Sequence, residues 1–313
     1  MKLWVVMPLY NDWESAAELL RELDNEAANL GHETHVLIVD DASPGGNAAE
    51  LRAEELKNIG EVQVLPLRRN LGHQRAIAIG LTWLLAEKDG DAVVVMDSDG
   101  EDRPADIAAL LKEFEKHGRT QAIFAARARR TESLVFKLGY AGYKALHYLL
   151  TGIRVRVGNF SIIPFAFLHT LAVSTELWNH YAASVYALNL PHVAIPIDRG
   201  TRYRGHSKMN LLSLMLHGMS AISVFAEKVS ARVLAFSVGL GALIVACLLT
   251  ICCIRIFTDL AIPGWASVTG GLLLVLLAQI VGNAGMFLLL LLHGRSRDGF
   301  LPIRDYLPFI RRD

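Results

Sequence analysis

Residues 92–102 read Ala92-Val93-Val94-Val95-Met96-Asp97-Ser98-Asp99-Gly100-Glu101-Asp102, five apolar residues running straight into four carboxylates within six positions. The apolar run is too short for a helix, rich in β-branched residues and ended by a turn, so Ala92 to Met96 is predicted to be a buried strand. On either side the same alternation recurs. Strands are expected at Leu3 to Leu9, His35 to Val39, Val62 to Leu67 and Gln121 to Ala125. Helices are expected at Trp13 to Leu30, Ala48 to Asn58, Gln74 to Ala86 and Ala105 to His117. Repeated β-α units of this size imply an α/β domain with a Rossmann-like, mainly parallel sheet and helices on both faces.

In such sheets ligands bind beyond the carboxyl ends of the strands. Here those ends are polar and acidic. The first strand runs into Pro8, Tyr10, Asn11 and Asp12, the second into Asp40, Asp41 and Ser43, and the fourth into Asp97, Asp99, Glu101 and Asp102. Three acidic strand ends on one edge predict a site for a cation and a nucleotide.

The 313 residues carry 31 Lys plus Arg against 31 Asp plus Glu, a balance that disfavours a nucleic-acid partner. The mean hydropathy of +0.33 is high for a soluble protein, and the excess lies after about residue 230. Val233 to Ile254 and Val268 to Leu292 contain no charged residue, and each is long enough to cross a hydrocarbon core of about 30 Å as a helix. Lys228 and Arg232 precede the first run; Arg295, Arg297, Arg304, Arg311 and Arg312 follow the second. Basic flanks of this kind orient both ends of a two-helix transmembrane hairpin toward the cytoplasm. The alternative is a buried helical hairpin of a soluble protein. Cys247, Cys252 and Cys253 all lie in the first run, where a thiol behaves as a small hydrophobe. The apolar stretch at the amino terminus is too short for a signal peptide.

The resulting division is a nucleotide-sugar domain over 1–209, an amphipathic interface helix over 210–230, two spans within 231–293 (about 233–254 and 268–292), and a basic cytoplasmic tail over 294–313. Ser133 to Leu150 and Leu211 to Phe225 mix apolar residues with Lys137, Lys144, His147 and His217 at helical spacing. That pattern suits either a bilayer surface or packing on the sheet.

Asp97 and Asp99, one residue apart at a buried strand end, suit a hard divalent ion also held by phosphates. The bland alternative is that acidic loop residues cap helices, with Asp102 or Asp106 before the helix that follows Pro104. The basic segment Arg199 to Lys208 would neutralise a diphosphate from the other side, or attract anionic headgroups. Tyr10 could equally be a core aromatic, Asp12 a helix cap, Gly72 a turn glycine and His73 a cap. Trp178 and His180 suggest no role.

Taken in order, the motifs resemble glycosyltransferase family 2 with the GT-A fold, and within it the dolichol-phosphate mannose synthase and polyprenyl-phosphate glycosyltransferase branch. Met7 to Asp12 resembles V-P-x-Y-N-E, Val39 to Ser43 resembles V-D-D-x-S, and Arg69 to Gln74 resembles R-N-x-G-x-x. Met96 to Asp99 resembles M-D-A-D, Gly158 to Ser161 resembles G-N-F-S, and Arg202 to Met209 resembles R-x-x-G-x-S-K-Y. Asn159 stands where many members carry Asp, Met209 replaces Tyr, and the end of the chain after Gly294 departs from the family pattern.

The resemblance implies that Pro8, Tyr10, Asp12, Asp40 and Asp97 surround the nucleotide. It implies that Asp97, Asp99 and Glu101 hold Mg2+ or Mn2+, with Asp97, Asp99 and Asn159 at the reacting centre. Arg127, Arg130, Arg202, Ser207 and Lys208 would hold the diphosphate or the acceptor phosphate. The implied activity is inverting transfer of a sugar from a nucleotide-sugar donor to a polyprenyl phosphate, such as undecaprenyl phosphate, at the cytoplasmic face of the inner membrane, by a monomer or homo-oligomer. A processive polysaccharide synthase would need a Q-x-x-R-W motif, which is not found. An inactive membrane-tethered scaffold is the alternative of another class.

Overall fold

The computed structural model describes residues 1–45, 48–127, 142, 145–153, 157–198, 200–204, 219–258, 262, 264–295 and 299–311. The chain divides into two compact units. One comprises residues 1–140, 154–224 and 300–313, the other residues 141–153 and 225–299.

The first unit is built on a seven-stranded sheet in the order β3-β2-β1-β4-β6-β5-β7. Its strands are β1 (Lys2–Leu9), β2 (Glu33–Asp40), β3 (Ile59–Pro66), β4 (Ala92–Val95), β5 (Ala122–Arg127), β6 (Val157–Pro164) and β7 (His192–Ile197). Helices of this unit include α1 (Trp13–Leu30), α2 (His73–Glu87), α3 (Ile107–Lys116), α4 (Phe167–Ala172), α5 (Thr175–Asn179) and α6 (Tyr181–Ala187), with a further helical turn at Pro302–Asp305. β1 pairs in parallel with β2 and β4, as do β2 with β3 and β5 with β7; only β6 runs antiparallel to its two neighbours. The GT-A arrangement is therefore present, a mostly parallel mixed sheet of Rossmann type.

Strand β1 shows why the sheet is covered on both sides. Leu3, Val5, Met7 and Leu9 pack into one core cluster with α1 and α3, while Trp4 and Val6 point into the other with α2 and α6. Period-2 alternation with every residue apolar leaves no solvent face. In α1, Ala16, Leu19, Leu20, Leu23 and Ala27 form the matching buried stripe.

Three expectations need correction. Ala48 to Asn58 is not one helix but two 3-10 turns, Ala48–Leu51 and Ala53–Glu55, parted by Arg52 at φ 48°. Only Leu51 among them is buried, so no apolar stripe overrides local geometry, and the amides of Lys57, Asn58 and Ile59 all donate to the Asp24 carboxylate instead. Val157–Pro164, read only as a motif, is a full strand inserted between β4 and β5. Residues 300–311, expected as part of a basic tail over 294–313, pack within the first unit: Ile310 bridges Leu67, the Arg68 amide donates to Phe309 O, and Phe300 stacks on Trp178 with centroids 3.8 Å apart.

The second unit contains two long apolar helices packed side by side, α7 (Ala226–Phe257) and α8 (Trp265–Arg295). Both exceed the uncharged runs read from the sequence, and almost no side chain in either is buried within the protein. Arg232 near the start of α7 donates to the carbonyls of Tyr148 and Leu149, which end the helical turns of residues 145–151. Of the expected interface helix over 210–230, residues 210–218 lie outside the described residues, 219–223 are helical, and 226–230 are the first residues of α7.

Candidate active site at the strand ends

Parallel pairing of β1 with β2 and β4 brings Leu9 opposite Asp40, and Val6 opposite Val95, so the three acidic termini emerge on one edge. Local hydrogen bonds join them. Ser98 Oγ donates to Pro8 O at 2.8 Å, the Asn11 amide to Ser43 Oγ at 2.8 Å, and the Ser43 amide to Asp40 Oδ1 at 3.0 Å. Asn11 (φ 57°) and Ala42 (φ 61°) both hold left-handed backbone there. For alanine this costs on the order of 1 kcal/mol, a strain that recurs where a loop is shaped around a ligand.

The second Asp of the Asp40-Asp41 pair has a separate job. Asp41 is buried and accepts from the amides of Leu71 (2.7 Å) and Gly72 (2.8 Å), tying the Arg69–Gly72 turn to the β2 end. Burial pushes its carboxyl up, against the pull of those two amides. Gly72, at φ 89°, stands just before α2, so its turn role holds.

Two of the bland alternatives fail. Tyr10 is 43% exposed rather than in the core, and Asp12, though at the N-cap position of α1, makes no capping hydrogen bond. Asp106 stands at the N-cap position of α3 without a side-chain capping bond. Asp102 Oδ2 accepts from the Asp97 amide at 2.9 Å, while Asp106 pairs with Arg103.

Asp99 is held from two directions. Its Oδ1 accepts from the Glu101 amide at 2.9 Å, and its Oδ2 from Arg202 at 2.5 Å; Arg202 also lies 3.8 Å from Asp12. Residues 200–203 lie across the Asp99–Glu101 loop, since the Gly200 amide donates to Glu101 O and the Tyr203 amide to Asp99 O. A Cβ on Gly100 would stand 2.4 Å from the Tyr203 ring, and its φ is 89°, so this position admits only glycine. Tyr203 Oη in turn donates to Glu22 at 2.5 Å.

Beside this loop is a hollow of about 20 Å³ lined by Asp97, Glu101, Asp102, Asp106, Asn159 and Asp198, with room for roughly one water-sized species. Oxygen donors of this kind suit a small hard cation. Among the described residues no three such groups converge on one point, so an ion here would draw further ligands from phosphate and water. Arg202 Nε is buried with no hydrogen-bond partner among the described residues, as expected of a donor facing an anion site. The residues present thus fit a divalent ion with a diphosphate.

Asn159 is fixed by a group that sequence reasoning did not single out. Gln74 donates from Nε2 to Asn159 Oδ1 at 3.0 Å and accepts at Oε1 from the Tyr181 amide at 2.8 Å. Tyr181 Oη pairs with Ser161 Oγ at 2.8 Å, and burial pushes the phenol far above its usual range. His180, given no role from sequence, accepts at Nδ1 from the Ala183 amide at the start of α6. Arg127 ends β5, but its side chain, like Arg130, Ser207 and Lys208, lies outside the described residues.

A family model described as Glycosyl transferase family 2 matches residues 4–171, the stretch that supplies every strand end just described. The chain belongs to glycosyl transferase family 2. Among relatives of this family 2 chain, an uncharacterized glycosyltransferase, YkcC of Bacillus subtilis (strain 168), is 26% identical over 84% of this chain and 80% of its own. An undecaprenyl-phosphate 4-deoxy-4-formamido-L-arabinose transferase of Klebsiella pneumoniae (strain 342) is 34% identical over 37% of this chain. That second match spans 34%, about a third, of the Klebsiella protein's length. Mannosyl-3-phosphoglycerate synthase from Rubrobacter xylanophilus superposes with a TM-score of 0.51 at 17% identity, covering 73% of this chain and 74% of that one. The likeness establishes the fold.

Proposed function

We propose that this family 2 glycosyltransferase moves a sugar from a nucleotide-sugar donor to a polyprenyl phosphate, undecaprenyl phosphate in particular, with inversion at the anomeric carbon. The observation that carries the reading is the acidic hollow beside Asp99 and Arg202, in a chain that also carries two helices long and apolar enough to span a membrane. The Klebsiella relative's lipid acceptor supports the same choice.

In this reading Pro8, Tyr10, Asp12 and Asp40 receive the base and ribose, Asp97, Asp99 and Glu101 hold Mg2+ or Mn2+, and Arg202 donates to the diphosphate. The ion, when bound, neutralises charge building on the departing diphosphate. A phosphate oxygen of the acceptor attacks the anomeric carbon opposite that leaving group, through an oxocarbenium-like transition state. Because a phosphate monoester has a second pKa of about 6, the nucleophile arrives mostly deprotonated and needs no strong base. A carboxamide at Asn159, held by Gln74, is therefore compatible with turnover; its part is to position. Arg127, Arg130, Ser207 and Lys208 are assigned to the acceptor phosphate.

The chain leaves the sheet unit after residue 224 and re-enters it at residue 300. If both α7 and α8 cross a bilayer, two crossings return the chain to the side it left, and the basic flanks make that side cytoplasmic. A lipid acceptor confined to the same membrane is then at high effective concentration. Incubating membranes that contain the protein with radiolabelled nucleotide sugars tests the reading. Label should enter the organic-extractable fraction in a Mg2+- or Mn2+-dependent way. Label found only in protein or aqueous glycan would reject the lipid acceptor.

A further inference from the structure

Helix α8 carries two seams. Leu273, Leu277, Ile280 and Ala284 are half-buried on the side that meets α7. One residue earlier at each step, Leu272, Leu276, Gln279, Asn283, Met286 and Leu290 repeat at alternating intervals of four and three, the heptad spacing of a helix-packing seam. All six are exposed; Leu272, Met286 and Leu290 are 66%, 67% and 64% accessible.

At the centre of this second seam sit two carboxamides one turn apart. Neither Gln279 nor Asn283 has a hydrogen-bond partner among the described residues, and the uncharged run 268–292 has its midpoint at residue 280. They stand where a bilayer offers no water, and hydrocarbon satisfies neither their donors nor their acceptors.

We infer that this face of α8 is an interface between copies of this chain within the membrane, with Gln279 and Asn283 of one copy hydrogen-bonding the same pair of the other. A carboxamide offers both donor and acceptor, so the surface complementary to this pair is a second such pair. A two-fold dimer presents one, and a lipid tail does not. The alternating spacing lets the flanking Leu and Met residues interdigitate across the same seam, while the polar centre fixes its register. The inference rests on α8 being a membrane span.

The test uses the full chain, labelled at its amino terminus with donor or acceptor dye and reconstituted into phosphatidylethanolamine–phosphatidylglycerol vesicles over a range of lipid-to-protein ratios. Energy transfer should fall on dilution with a defined midpoint. Gln279→Leu with Asn283→Leu should move that midpoint by about tenfold or more toward higher protein density, whereas Gln279→Asn with Asn283→Gln should stay near the original. The leucine variant makes the span more apolar, so its insertion is preserved. Unchanged association in the leucine variant overturns the inference alone, as does a monomeric original chain, whose carboxamides would then serve another partner. Release of the original chain from membranes by alkaline carbonate overturns the inference together with the span reading.

Discussion

The Arg202 guanidinium stands 2.5 Å from one Asp99 oxygen and 3.8 Å from an Asp12 oxygen, so one cation bridges the acidic ends of β1 and β4. It occupies the carboxylate assigned to the metal. Arg202→Ala should therefore strengthen Mn2+ binding in the absence of nucleotide, by several-fold, while lowering turnover by tenfold or more through loss of a charge-assisted contact to the diphosphate. Calorimetric titration with Mn2+ alongside steady-state assays reads both. Weaker ion binding in the variant would show that Arg202 does not compete for Asp99.

Asn159 and the aspartates should separate cleanly. Asp97→Ala and Asp99→Ala are expected to lose nearly all turnover. Asn159→Ala should keep a measurable fraction and lose about 1 kcal/mol of stability, because Gln74 Nε2 loses one of its two partners, keeping only His73 Nε2. Asn159→Asp restores the lost acceptor and should recover the stability. Comparable loss of turnover in all three alanine variants would give Asn159 a direct chemical role.

Asp24 links acidity to folding. Its carboxylate accepts from the Lys57, Asn58 and Ile59 amides; burial alone would raise its pKa, but these bonds hold it below the usual carboxylate range. A depressed folded-state pKa contributes stability that is complete above the unfolded value and disappears as pH falls through the folded one. Asp24→Ala should cost roughly 2–3 kcal/mol at neutral pH and flatten this part of the acid limb of a denaturation profile.

The returning segment is expected to carry stability. Tyr306 is 4% exposed, and Phe300 stacks on Trp178 and meets the Phe309 ring edge-on. Tyr306→Ala should cost about 3 kcal/mol or more by thermal unfolding in detergent, with little change in the apolar helices. A variant as stable as the parent would mean that residues 300–311 are not part of the folded unit.

Much of this architecture was legible locally. Helix α1 runs from Trp13 to Leu30, the bounds expected, because its buried stripe and its terminators lie within its own sequence. The parallel order followed from apolar strands alternating with amphipathic helices. Ala48 to Asn58 misled because Ala, Glu and Leu favour helix without supplying a buried face, and the deciding partner, Asp24, lies on another element. Strand β6 was hidden inside a motif. The Arg202–Asp99 pair, the Gln74–Asn159 bond and the Trp178–Phe300 stack all join residues far apart in the chain, and no local pattern announces them. Of the site, the acidic strand ends were readable one by one; what holds each of them was not.

Mass spectrometry of lipids extracted after incubating the purified protein with Mg2+, undecaprenyl phosphate and a panel of nucleotide sugars tests the central claim most directly. The account predicts a new species heavier than undecaprenyl phosphate by one glycosyl residue for one donor, absent with Asp97→Ala or Asp99→Ala. Unmodified lipid with every donor, or a product that forms equally well without either aspartate, would contradict it.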